Sequence, residues 1–207
     1  GICLQSNWSS PNRGSSGKEF NEVYGTFFTN NLIPKMFHGQ YSEDEWIVNN
    51  CTLVPKHGTI IDVGADQPIL GSNSYFFEKY LGWKCLCIDG DERTIDKLKT
   101  LRKNVIHSLV SDTDGTKKFF QTKEAGISHI SNSGNTEVPS KTLNTILEEN
   151  NINDITILDI DVEGHELQVC NGLDWNKYKP KLVIIEYISP AGGDIQLKLK
   201  EYFDKYR

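Results

Sequence analysis

The chain has 207 residues, 37% of them hydrophobic, and a formal net charge of −6. That length supports one sizeable core, and the acidic balance gives no broad electrostatic footprint for nucleic acid or an anionic membrane surface. No apolar run approaches the roughly 20 residues that span a bilayer, and the first residues lack the basic-then-apolar order of a secretion signal. A soluble, cytoplasmic protein without a membrane span is therefore expected.

The opening "SNWSSPNRGSSGKE" is rich in Ser, Asn, Gly and Pro, and reads as a mobile or capping arm over residues 1–38, ahead of one domain over 39–207. "SEDEWIVNNCTLV" predicts a helix opened by Ser42, with acids in its first turn at the positive end of the helix dipole. After Gly58, "TIIDVGA" is a β-branched strand candidate, and "SNSYFFEKYLG" a helix capped by Ser72 or Asn73 and ended by Gly82. "KCLCID" gives a second strand, in which Cys85 and Cys87 share one face and pack as small hydrophobes. "ERTIDKLKTLRKN" is a helix with apolar Ile95, Leu98 and Leu101 at spacings of three.

"NVIHSLVS" reads as a third strand, and "KKFFQTK" to "NSGNTEVPS" as short extended pieces and a polar loop. "SKTLNTILEENN" is a helix capped by Ser140. "DITILDID" makes a fourth strand, "EGHELQVCNGL" a helix, "PKLVIIEY" a fifth strand and "DIQLKLKEYFDKYR" a last helix. Strands alternating with helices at this spacing predict an α/β fold, a mainly parallel sheet with helices on both faces. The five cysteines, Cys3, Cys51, Cys85, Cys87 and Cys170, form no CxxC pair and fit reduced thiols.

Ligands of such sheets bind beyond the carboxyl ends of the strands. Asp62, Gly64, Asp66, Asp89, Asp91, Ser111, Asp112, Asp161 and Glu163 all fall at or just after strand ends. Any one acid there can serve only to cap a helix, but their repetition after four strands indicates a site. There is no GxGxxG and no GxxxxGK[ST], so phosphate cradling is not expected. A lone glycine among acids suits a ligand bearing an ammonium and a sulfonium, such as S-adenosylmethionine, with Asp89 accepting both ribose hydroxyls.

"IDVGADQPILGSNSYFFEKYLGWKCLCIDGDE", "SDTDGTKKFF", "LDIDVEGHELQVCNGLDW" and "LVIIEY" resemble, in order and spacing, the FkbM family of S-adenosylmethionine-dependent methyltransferases. "GQYSEDEW" is similar to the segment preceding that family's first strand. The resemblance implies a Rossmann-like class I methyltransferase fold that moves a methyl group to a hydroxyl of a small molecule or glycan. It implies Asp62, Gly64 and Ala65 at the methionine end, with Ser72 and Asn73 as donors to the carboxylate. Asp89 would hold the ribose, Asp112 the adenine amino group, Asp161 would sit near the methyl, and Gln40 would close over the cofactor. The chain departs from the family at Asp66-Gln67-Pro68, where Asn-Asp-Gly is common, and at Asp159, where lysine or serine is common. The antiparallel strand pair that usually closes the sheet is missing after Arg207, which predicts an edge covered by the amino-terminal arm, a partner or a second copy in a homo-oligomer.

For an alcohol acceptor a base is needed, and "DIDVEGHE" offers Asp161, Glu163 and His165. His165 has a pKa range suited to general base work, against the reading of a solvent-facing imidazole on the first helical turn, which is favoured. Asp159, Asp161 and Glu163 are oxygen ligands for a divalent metal, on one side only if the extended conformation continues to Glu163. Glu186 faces substrate or a basic partner, Glu78 and Lys79 read as a helix surface pair, and Trp83 and Trp175 as core. Tyr187 is a candidate to stack on a sugar. Two alternatives stay open. One is an RNA (cap) ribose 2′-O-methyltransferase, for which Leu-Gln-Ser near the start hints at viral polyprotein processing. Against it stand the acidic balance and the want of two lysines beside Asp161 and Glu186. The other is a catalytically inactive methyltransferase-like binding module, suggested by Pro68.

Overall fold

The computed structural model describes residues 2–5, 36–51, 55–123, 125–187 and 195–206. In chain order it runs β1 (Ile2–Gln5), α1 (Glu43–Asn50), β2 (Thr59–Val63), α2 (Tyr75–Leu81), β3 (Lys84–Asp89), α3 (Glu92–Leu101), β4 (Val105–His107) and β5 (Leu109–Val110). There follow β6 (Gly115–Phe120), β7 (His129–Ile130), β8 (Thr136–Lys141), α4 (Leu143–Glu149), β9 (Ile157–Ile160), α5 (Glu166–Asn171), α6 (Trp175–Tyr178), β10 (Leu182–Glu186) and α7 (Ile195–Phe203).

Alternation along the strands builds two cores. Ile61, Val63, Leu86, Ile88, Leu158, Ile160, Val183 and Ile185 face one side, where α4, α5, α6 and α7 pack through Leu143, Ile146, Val169, Trp175 and Leu199. Ile60, Cys85, Cys87, Ile157, Leu182 and Ile184 face the other, against Ile47 of α1, Phe76 and Phe77 of α2 and Ile95 and Leu98 of α3. A strand buried on both faces must be apolar at nearly every position, as β2, β3, β9 and β10 are. The sheet is six-stranded in the order β1-β10-β9-β2-β3-β4, and every pairing in it is parallel. From β2 the chain winds outward to β3 and β4, then returns to lay β9 and β10 on the other side. The switch point, and with it the ligand crevice, lies between β2 and β9. This is a Rossmann-like α/β fold.

Several local expectations are corrected. The stretch "NVIHSLVS" is not one strand: at Ser108, whose N–H donates to the Asp89 carbonyl at 2.9 Å, the chain leaves the large sheet. Leu109–Val110 instead joins a second, four-stranded sheet, β5-β8-β6-β7, made from the region read as extended pieces and a loop. Its strands are half polar because, among the described residues, its small core consists of Leu109, Phe119 and Val138 with Ile130 packed against them. Ser140 lies inside β8, and Thr142 caps α4 by accepting the Thr145 N–H at 3.1 Å. Ser74, not Ser72 or Asn73, stands at the start of α2, although Ser72 Oγ accepts the Tyr75 N–H at 3.2 Å. Leu101, the last residue of α3, is 56% exposed. Trp83 and Trp175 are buried as expected, and Cys85 and Cys87 stand side by side in the core with sulfurs 3.8 Å apart.

The edge of β10 is paired by β1, in register from Ile2 opposite Val183 to Gln5 opposite Glu186. Among the described residues no antiparallel strand joins the large sheet. No helix among them is long and apolar enough to cross a membrane.

Candidate functional site

The carboxyl ends of β2, β3 and β9 meet at Gly64. Its N–H donates to the Ile88 carbonyl at 2.9 Å, and its φ is +86°. A Cβ there would lie 1.7 Å from the Asp161 carbonyl oxygen, so only glycine lets the two strand ends close together. Asp66 follows with φ 37°, a left-handed conformation that Asp tolerates. Its N–H donates to Asp89 Oδ2 at 3.0 Å, and the Asp91 N–H donates to Asp89 Oδ1 at 2.7 Å. Each Asp89 oxygen keeps a lone pair for a further donor. Desolvation pushes the Asp89 carboxyl up to about 7, against the opposing pull of these two backbone bonds.

A cleft opens above these ends. Gly64, Asp89 and Asp161 form its floor, Ser108–Val110 and Phe119 one wall, and Gly126 with Ser128–Ile130 the cover. The cover is tied down by Asp91, the cap of α3, which accepts Gln121 Nε2 at 3.0 Å and Ser128 Oγ at 3.2 Å as well as the Arg93 guanidinium. Among the described residues no lysine or arginine lines the cleft; its ionisable residues there are Asp66, Asp89, His129, Asp161 and Glu163.

At the far end β9 stops and the chain turns sharply, with Glu163 at φ 57° and Gly164 at φ 99°. Buried Glu166 holds the turn by accepting the Gly164 N–H at 2.8 Å. The turn brings Asp161, Glu163 and Glu186 together, with one carboxylate oxygen of each within 4.8 Å of the others. Asp161 and Glu186 are both raised, chiefly by desolvation. Desolvation and the neighbouring Asp161 charge push Glu163 up to about 7. The metal set read from the sequence is corrected here. The extended conformation does not continue to Glu163, and Asp159 is buried opposite Asp62 on β2. Glu186 takes its place in the cluster.

Of the residues singled out from the sequence, Gly64, Asp66, Asp89, Asp161 and Glu163 line the cleft and the rest do not. Asp62 accepts the Ser74 hydroxyl, and Ser72 and Ser74 accept the guanidinium of buried Arg102. Ala65 packs in the core. Asp112 is an exposed residue 3.8 Å from the Lys117 ammonium, and Gln40 is an exposed residue touching Tyr41. His165 is neither a surface imidazole nor part of the cleft lining. Its Nε2 lies 2.8 Å from Ser111 Oγ, and burial pushes its pKa down to about 4, so the ring is neutral.

Glu78 is not in a surface pair with Lys79; it is buried and ion-paired with Arg102. Arg102, Ser108, Phe119, Ser128 and His129 escaped the sequence reading. Nothing in "KTLRKN" marks the arginine rather than its neighbours as buried, and the others reach the cleft only through the second sheet.

The description "Methyltransferase FkbM domain" belongs to a family model that matches residues 62–207. No match was found among curated proteins or among solved structures. The matched segment starts at the end of β2 and contains the whole cleft floor, and it spans well over half of the chain. The protein therefore belongs to the FkbM methyltransferase family.

Proposed function

We propose that this methyltransferase takes its methyl group from S-adenosylmethionine and transfers it to a hydroxyl of a small molecule or glycan. The observation that carries the reading is Asp89: a desolvated carboxylate at the end of β3, oriented by two backbone N–H groups and open on the cleft side. Such a group suits a vicinal diol, which offers two donors 3 Å or so from one carboxylate. The rest of the cleft fits the same ligand. Leu109, Phe119 and Ile130 give an apolar wall for a purine. The acids at Asp66 and Asp161, with no lysine or arginine beside them among the described lining residues, suit a ligand carrying an ammonium and a sulfonium.

When bound, the sulfonium supplies an electrophilic methyl that an aligned nucleophile displaces in line, so the protein's work is alignment and proton removal. Asp89 fixes the sugar, and Gly64 allows the ligand to lie close against the strand ends. Glu163, with a carboxyl near 7 and a backbone held in the left-handed region, is the general base that takes the acceptor's hydroxyl proton. Desolvation, with the neighbouring Asp161 charge, keeps Glu163 basic. His165, whose Nε2 is engaged with Ser111, acts in this reading as a tie between the turn and β5. The acidic lining of the cleft, with no lysine or arginine among the described residues, favours a neutral acceptor over RNA.

Calorimetric titration with S-adenosylmethionine and S-adenosylhomocysteine, with and without magnesium, tests the reading. Binding by the wild type that is lost in Asp89→Ala supports it; no binding under any condition removes it. An acceptor screen over small alcohols, glycans and capped RNA, scored by isotope transfer, then identifies the substrate class.

A further inference from the structure

The geometry points to Arg102 as the positioning residue of the loop between β2 and α2, and through that loop of Asp89; the assignment to cofactor binding rests on the reading above. Arg102 ends α3, its N–H bonded to the Leu98 carbonyl at 2.8 Å, and its side chain is 0% exposed. Each N–H of the guanidinium fork meets an acceptor. Nε donates to Glu78. Nη1 donates to the Pro68 carbonyl at 3.2 Å and to Ser72 Oγ at 3.1 Å. Nη2 donates to Ser74 Oγ at 2.7 Å and to Cys85 Sγ at 3.1 Å.

These acceptors come from the middle of the loop, its end, the helix after it and the adjacent strand. Ser74 in turn donates to Asp62 Oδ2 at the end of β2. The loop has few backbone bonds of its own, among them Ser72 N–H to the Ile69 carbonyl at 3.2 Å and Gly71 N–H to the His38 carbonyl at 2.8 Å. Its course is thus fixed by one planar cation buried beneath it. The loop's first turn delivers the Asp66 N–H to Asp89. A shift of the loop withdraws that donor and lets the Asp89 carboxylate rotate away from the diol geometry.

Lysine cannot replace the fork: it keeps the charge beside Glu78 but offers three donors from one point, not five in a plane. A purely structural residue would, on substitution, weaken the whole fold; a positioning residue loosens the loop it holds. Hydrogen–deuterium exchange separates the two when run on wild type, Arg102→Lys and Ser74→Ala alongside calorimetry with S-adenosylhomocysteine. Ser74 is fully buried, so its variant removes one link without touching the cleft.

The expected result is amide exchange faster by about 10-fold or more within residues 64–74, little change in β9 and β10, and S-adenosylhomocysteine binding weakened by at least about 10-fold. Unchanged loop exchange, or acceleration spread evenly over the sheet, overturns the assignment. So does faster loop exchange with wild-type affinity. If Arg102→Lys does not fold, Ser74→Ala decides by the same criteria. If the wild type binds no S-adenosylhomocysteine, the cofactor reading fails by itself, and exchange confined to 64–74 still decides whether Arg102 positions the loop.

Discussion

Asp89 Oδ2 accepts the backbone N–H of Asp66 at 3.0 Å, so the ligand-facing carboxylate of one strand is oriented by the loop that leaves its neighbour. This bond crosses from the β2 loop to the end of β3, beside the switch point, and makes the loop conformation and the carboxylate direction a single geometric variable. Most of the expected outcomes below follow from that coupling and from the crowding of acids around it.

Asp89→Asn preserves volume but removes the charge and one acceptor. Hydrogen bonds to a charged group contribute about 1.5–3 kcal/mol each, so S-adenosylhomocysteine affinity is expected to fall by at least 10-fold by that estimate. Calorimetry at fixed salt reads it; equal affinity would detach Asp89 from the site.

Gly64→Ala meets two penalties, a Cβ 1.7 Å from the Asp161 carbonyl and a φ of +86°. The strand ends must separate, at a cost of at least about 1–3 kcal/mol. A lowered melting temperature together with lost ligand binding is expected, and a variant that melts with the wild type would contradict the close approach of β2 and β9.

Glu163 must be ionised to act as a base, so kcat is expected to rise with pH through about 7. Glu163→Gln should abolish that limb and lower kcat by about 10²–10⁴-fold. The Asp89 limb, which governs ligand binding near the same pH, should remain in kcat/KM. A pH profile of kcat unchanged by the substitution would remove Glu163 from the chemistry.

The same carboxyl gives a stability test with a fixed sign. Its folded pKa, about 7, lies above the ordinary 4.5, so the folded state binds the proton more tightly. Stability from this group is present below about 4.5 and lost as pH rises through about 7. Glu163→Gln should therefore melt higher than wild type at pH 8 relative to their difference at pH 4, as read by paired thermal scans; the opposite trend would mean that the carboxyl is not raised.

Glu78→Ala leaves the Arg102 charge buried without its ion-pair partner and also strands the Lys103 N–H, which Glu78 accepts at 3.1 Å. A loss of about 3–5 kcal/mol is expected, measured by urea denaturation. A loss below 1 kcal/mol or so would show that Asp62 suffices to hold the guanidinium.

Desolvation raises Asp161, Glu163 and Glu186 alike, which disfavours the fully ionised set that a divalent cation needs. Methyl transfer is accordingly expected at an unchanged rate after chelation with EDTA. Activity lost to EDTA and restored by magnesium would instead give the Asp161, Glu163 and Glu186 cluster to a cation.

The alternation of apolar runs with helical periods determined the parallel sheet, and the apolar run of "KCLCID" alone was enough to bury Cys85 and Cys87. The carboxylates that end β3 and β9 were legible for the same reason: where a β-branched run stops at an acid, the chain has reached the sheet's carboxyl edge. The second sheet was not legible, because its strands are half exposed and carry Lys, Glu and Ser where a buried strand would carry Val or Ile.

Local sequence also could not tell a carboxylate that faces a ligand from one that faces a buried arginine. Asp62 and Asp89 end neighbouring strands in equivalent contexts, yet Asp62 is joined to Arg102 through Ser74, and Asp89 opens to the cleft. Glu78 and Arg102 are 24 residues apart, and only the packing of α2 against the end of α3 brings them together. The sequence by itself determined which residues stand at the ligand edge. The tertiary structure decided which of them are spent on each other, because that depends on long-range contacts and on how far each group is removed from water.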